Sequence, residues 1–393
     1  MSILDSSDLR IGLALSGGGA RAMAFHLGCL RALHALGILA KVKIISSVSG
    51  GSVLAGMYCA RAQSFEEFDC QVRHVLTEGI QRRIIAGLFT WTGVKAVGSR
   101  LTTMTAAVPL SIVRTLAVGL SGSWDRKADA KRRFRFHGRR RITRTDLFEM
   151  ALRQEAILGD MALADLPAGR PDLLINAADL SRQTVFRFTR DGSGTWPTGR
   201  VRTGALRLSE AVAASAAFPV LLPSIDREWP REGDAQTVER FLLTDGGVYD
   251  NIGVDAFDPT RPERYAFAGK RVDCIIACIA EPGLPTGEDR PIFWADRMKA
   301  SFASVHRQLH RSKMSNLHQW KEAGLIHDFI MPYLGQDDSK LPTGDSRQLE
   351  SLGNLRDYPV DFGPMPDDAM RRLIARGETQ TRRLASLYLT TSG

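Results

Sequence analysis

Residues 10–60 read RIGLALSGGGARAMAFHLGCLRALHALGILAKVKIISSVSGGSVLAGMYCA, and their pattern decides the fold. RIGLALS is a short apolar run closed by small residues, which predicts a buried strand. GGGAR turns the chain, and AMAFHLGCLRALHALG reads as an apolar helix. The order then repeats, with VKIISSV as a second strand and GSVLAGMYCARA as a second helix. Strands that are apolar on both faces need cover on both, so a parallel sheet with helices on each side is predicted.

Further along, PDLLINAADL, QTVFRFTR, RFLLTDGG and DCIIACIA are strand-like, and LSEAVAASAAF is a short helix. Residues 290–323 and 366–388 read as long helices, with DDSKLPTGDSRQ as loop between them. From about 80 to 145 the alternation breaks. An amphipathic, weakly helical stretch, 86–120, runs into a basic one, with Leu110, Val113, Ala117 and Leu120 able to share a face. No repeat and no long linker occurs. The expectation is one α/β domain over 8–280, an insertion at about 80–145, and a helical C-terminal extension, 281–393, packed on the same domain.

Composition narrows the class. Of 393 residues, 44% are hydrophobic and 24% charged, ordinary for a globular chain able to bury a sizeable core. Five scattered cysteines, an odd number, predict reduced thiols of a cytoplasmic protein rather than a disulfide framework. MSILDSSDLR lacks the layout of a secretory signal, and the longest uncharged stretch, Ile44 to Ala60, is too rich in Ser and Gly for a membrane span. The net charge of +9 is concentrated: ten Lys or Arg and one Asp lie between Arg126 and Arg144.

Glycines between a strand and a helix can aim backbone N–H groups at a phosphate or an oxyanion. Gly17, Gly19 and Ala22 also fit a dinucleotide fingerprint, but that needs an acidic residue about 20 positions on, and none occurs between Asp8 and Glu66. A plain tight turn is the remaining alternative. Ser49 lies in S-x-S-x-G between a strand and a helix, where a nucleophile elbow would lift its hydroxyl clear of the sheet. The crowded turn needs small neighbours, and Ser47, Gly50 and Gly51 are small. A serine also needs a base. FLLTDGGVYDN ends a strand on Asp245, with Gly246 and Gly247 freeing the chain after it, although DGG alone also suits a turn.

Together, GGGAR (17–21), SVSGG (47–51), INAADL (175–180), AVAASAAFPVLLPS (211–224) and DGGVYDN (245–251) resemble the patatin-like phospholipase family over about residues 10–280. The resemblance implies a three-layer α/β fold with a mostly parallel central sheet. It also implies a Ser–Asp dyad that hydrolyses lipid acyl esters without histidine. Ser49 would be the nucleophile, Asp245 the base, and Gly17, Gly18 and Gly19 the oxyanion loop. Arg21 would brace that loop or sit near a phosphate. Ser47 stands where the family has glycine, and Ala22 where glycine is frequent, both small-for-small exchanges.

Two rivals stay open. An α/β-hydrolase triad in the order Ser, Asp, His is permitted by His306, His310, His318 and His327, but that fold places several strands before its nucleophile and here one precedes it. These histidines read as solvated or packed, and His26 and His34 as core or rim. A catalytically silent lipid-binding protein is the other. No metal or cofactor is expected, because no ligand cluster has metal spacing. The expected partners are a lipid substrate and an anionic membrane surface met by Arg132, Arg133, Arg135, Arg139, Arg140 and Arg141. Phe134 and Phe136 within that run also fit a nucleic-acid surface or a solvated loop, yet no nucleic acid is expected. The oligomeric state is not legible.

Overall fold

A computed structural model describes residues 9–81, 143–219, 221–261, 271–283, 287, 291–341 and 350–389. The amphipathic stretch 86–120 and the six arginines from Arg132 to Arg141 lie outside the described residues.

The predicted strand–turn–helix repeat is present as β1 (Ile11–Leu15), α1 (Gly19–Ala35), β2 (Val42–Ser47) and α2 (Gly50–Cys59). Strands β3 (Asp172–Asp179), β9 (Cys274–Cys278) and β10 (Asp328–Ile330) join them in a parallel array ordered β10-β9-β1-β2-β3. Antiparallel strands extend the same sheet: β4 (Thr184–Phe188), β5 (Ser193–Thr195), β6 (Gly199–Val201), β7 (Ile225–Arg231) and β8 (Asp234–Asp245). The last of these pairs with β7 and also returns to β3, placing Asp245 beside Ala177.

Alternation along the central strands separates two cores. Ile11, Leu13 and Leu15 of β1, with Cys274, Ile276 and Cys278 of β9, face one layer; Ala14, Ile275 and Ala277 face the other. The first layer holds α1, α2, α3 (Phe65–Glu78), α4 (Arg144–Leu152) and α5 (Leu208–Ser215). It is completed by α8 (Asp367–Tyr388), the last helix of the described chain. The second layer is built from Ile252, Val254 and Phe257 with Leu317 and Trp320 of α7 (Trp294–Glu322). A four-residue helix, α6 (Gly247–Asp250), follows β8. Ser64 and Thr143 each start a helix with a reciprocal capping box, to Glu67 and Asp146 respectively.

Helices α1 and α8 cross at backbone contact. A Cβ on Gly28 would lie 2.0 Å from the Ile374 carbonyl oxygen, and one on Gly377 would lie 2.1 Å from that of Phe25. Arg376 of α8, fully buried, donates to the carbonyls of Leu334, Glu350 and Gln336 and to the Asp338 carboxylate at 2.6–2.9 Å. A buried guanidinium is tolerated because its donors all but saturate.

All five cysteines are free, and all but Cys70 are buried. Among the described residues, no helix is long and apolar enough to cross a membrane.

Candidate active site

β1, β2 and β9 end side by side, and β3 runs on past them to Asp179: Leu15 pairs with Ser47 and Cys278, and Ser47 with Ile175. In an open α/β sheet, ligands bind beyond such carboxyl ends. Gly17, Ser49 and Glu281 follow the three strand ends here, and Asn176 lies within β3 just past Ile175. Asp245 reaches the same edge from the antiparallel side.

Ser49 occupies the turn from β2 into α2 with φ 52° and ψ −119°, one of two positive-φ non-glycine residues among those described. A side chain costs energy in that conformation, and surrounding bonds hold it there. The Ser49 N–H donates to Ser215 Oγ at 3.0 Å, and Ser215 Oγ donates to the Asn176 carbonyl at 2.6 Å. Ser52 Oγ lies 2.9 Å from Ser215 Oγ and 3.1 Å from Ser47 Oγ. Ser47 donates to the Leu174 carbonyl at 3.3 Å, and Asn176 Nδ2 donates to Ser46 Oγ and the Ser47 carbonyl. The hydroxyl of Ser47 therefore makes hydrogen bonds a glycine could not.

The Asp245 carboxylate accepts from the Gly247 N–H at 2.7 Å. Ser49 and Asp245 are both buried, to 7% and 2% exposure. Burial pushes the Asp245 carboxyl up to about 6, against the opposing effects of the Gly247 N–H and the nearby Ser49 side chain. Its backbone is pinned by Asp245 N–H to Ala217 O and Gly246 N–H to Ser215 O. A Cβ on Gly246 would strike the Asn176 carbonyl at 2.3 Å, so the turn admits no larger residue.

The glycine loop packs directly on the elbow. A Cβ on Gly50 would meet Gly19 O at 2.2 Å, and one on Gly51 would meet Leu15 O at 2.4 Å. Gly17 donates its N–H to the Asn251 carbonyl at 3.0 Å. Among the described residues, nothing accepts from the N–H of Gly18 or Gly19, the two at φ 138° and 59°. Arg21 is buried and donates to the Tyr358 carbonyl at 3.1 Å; burial lowers its pKa. The Asp361 carbonyl accepts from Ala20 N–H at 2.7 Å. Residues 358–366 thus form a strap across the start of α1, tied down by Gln81 N–H to Phe362 O and Met365 N–H to Leu76 O.

Asn251, Ser215, Asn176, Glu281 and the strap were not read from the sequence. Asn251 and Ser215 lie inside quoted motifs, but single polar residues in a loop carry no periodic signal. His306 and His310 sit beside Glu281, with Nδ1–Oε1 distances of 3.5 and 3.0 Å, and His306 also bonds to the Gly247 backbone. They line a cleft with Gly247, Tyr249 and Asn251, one turn from Asp245. Neither appears among the hydrogen-bond partners of Ser49 or Asp245. His318 stacks edge-on against Phe329, His26 is fully buried and held neutral with a pKa near 3 by burial, and exposed His34 stacks on Phe65.

This is an α/β protein with a strained serine on the carboxyl edge of its sheet and a buried aspartate beside it. A family model of the patatin-like phospholipases matches residues 13–258, and the chain belongs to that family. No curated protein matches the chain. Among solved structures, human GIVD cytosolic phospholipase A2 is similar at TM-score 0.54 and 14% identity, over 96% of this chain and 59% of that one. VipD from Legionella pneumophila is similar at TM-score 0.36 and 13% identity, over 97% of this chain and 67% of that one. The chain thus spans about three-fifths of the phospholipase A2 it matches, and that likeness concerns the fold.

Proposed function

We propose that the protein is a serine acyl hydrolase that cleaves ester bonds of phospholipids or related lipids. The observation that carries this is a strained Ser49 next to a buried Asp245, beside two backbone N–H groups that have no acceptor among the described residues. Ionised Asp245 takes the proton of Ser49 as Oγ bonds to the ester carbonyl carbon. The N–H groups of Gly18 and Gly19 hold the oxyanion, each such donor being worth about 10²–10³ in rate. Gly17 shapes the loop through Asn251, and Arg21 braces it. Protonated Asp245 then gives its proton to the departing alcohol as the ester C–O bond breaks, leaving an acyl group on Ser49. Water, deprotonated by the same carboxylate, releases the acid and restores the serine.

On this reading the domain runs from about residue 8 through 280, with an insertion at about 80–145 and a C-terminal extension that completes it. The protein works in the cytoplasm, peripherally at membranes. Ser49→Ala and Asp245→Ala are expected to lower turnover of a chromogenic short-chain ester and a labelled phospholipid by about 10³-fold or more. Wild-type protein that hydrolyses neither would point instead to a silent lipid-binding role. A late histidine whose replacement alone abolished turnover would restore the triad.

A further inference from the structure

Among the described residues, nothing covers the first half of α7. Every described side chain from Pro291 to Val305 is exposed, including Ile292 at 74%, Phe293 at 71% and Trp294 at 79%. At 100° per residue, Trp294, Met298, Phe302, Val305 and Leu309 fall within an arc of about 80°, a continuous apolar stripe. Met298 and Val305 are 63% and 62% exposed. Exposed apolar surface of this extent, ordered along one face, marks a contact site rather than chance.

Three observations say what the stripe meets. Its last residue, Leu309, lines a small cleft with His306, Gly247 and Asn251, and the Gly247 N–H bonds to Asp245, so the stripe ends next to the candidate active site. The loop whose Ala217 carbonyl accepts from Asp245 N–H also exposes two apolar side chains, Phe218 and Leu221. Charge is the third. Between Trp294 and Lys313 the helix has one acidic residue, Asp296, against Arg297, Lys299, Arg307, Arg311 and Lys313. Arg297 and Arg311 are exposed on the flank away from the body. An apolar stripe with aromatic residues at its tip and cations alongside is the layout of a helix lying in a bilayer interface.

We propose that the apolar stripe of α7 docks the protein on an anionic lipid surface, next to the sheet edge that carries Ser49 and Asp245. That this surface holds the substrate rests on the hydrolase reading; the docking itself does not. The test uses the full chain and vesicles of phosphatidylcholine and phosphatidylglycerol in equal parts. Met298→Glu/Val305→Glu is expected to weaken vesicle sedimentation and vesicle-lipid hydrolysis by about tenfold or more, while leaving a monomeric soluble ester within about twofold. The blue shift of tryptophan emission on vesicle binding is expected to shrink in Trp294→Phe.

Unchanged vesicle affinity in the double variant overturns the proposal. So does a wild-type dimer that the double variant dissociates, which would assign the stripe to a second copy. Peroxide oxidation of Met298 that becomes fast only when residues 86–120 are deleted would assign it to the chain's own insertion, and also overturns it. If vesicle affinity falls as expected but wild-type protein cleaves no ester, the docking stands and the hydrolase reading fails.

Discussion

A carboxyl raised to about 6 binds its proton more tightly in the folded chain than in the unfolded one. Above that pH, folding therefore carries the cost of a buried charge at Asp245, up to about 3 kcal/mol, and the cost disappears near pH 4. Asp245→Asn is accordingly expected to abolish turnover and yet raise Tm above pH 6, with the gain gone by about pH 4. Melting curves of both proteins across that range check the sign. In the wild type, kcat/KM is expected to fall as pH drops through about 6, because the protonated carboxyl cannot accept from Ser49. The placement of Ser49 and Asp245 at one edge of the sheet was legible in the sequence because a strained turn and a glycine-freed strand end leave local marks, SVSGG and DGG. Ser215 and Asn176 were not, since they act through hydrogen bonds to residues far along the chain.

At the scale of elements, the approach of α1 and α8 sets where the glycine loop stands. Gly28→Ala puts a methyl 2.0 Å from the Ile374 carbonyl and 2.8 Å from the Glu378 nitrogen, so the helices must part. Overpacking of this kind costs about 1–3 kcal/mol. The expected result is a lower Tm together with a lower kcat on a soluble ester, since the strap over Gly19 and Ala20 follows α8. A variant that melts earlier with kcat unchanged would detach the strap from catalysis. The long helices and central strands were readable from apolar runs. The hairpin of β7 and β8 was read only at its C-terminal end. IDREWPR and AQTVER put charged residues on an open face, while Trp229 and Phe241 turn inward against Phe186. The strand β10 is three residues, DFI, too short to have a period to detect.

For the molecule as a whole, the family match ends at residue 258, but the core does not. Leu355, Met365, Met370, Leu373, Ile374 and Ala385 belong to the same buried cluster as Phe25 and Leu30 of α1. A chain cut after residue 280 is expected to show no cooperative thermal transition and no labelling of Ser49 by a fluorophosphonate. A sharp melt from that fragment would make the extension a separate unit.

The strap also sets an order in time. The start of α1 leaves the ribosome roughly 340 residues before Asp361, whose carbonyl fixes it, an interval of about 17–70 s at ordinary elongation rates. Until that carbonyl arrives, the loop beside Ser49 lacks its fastening.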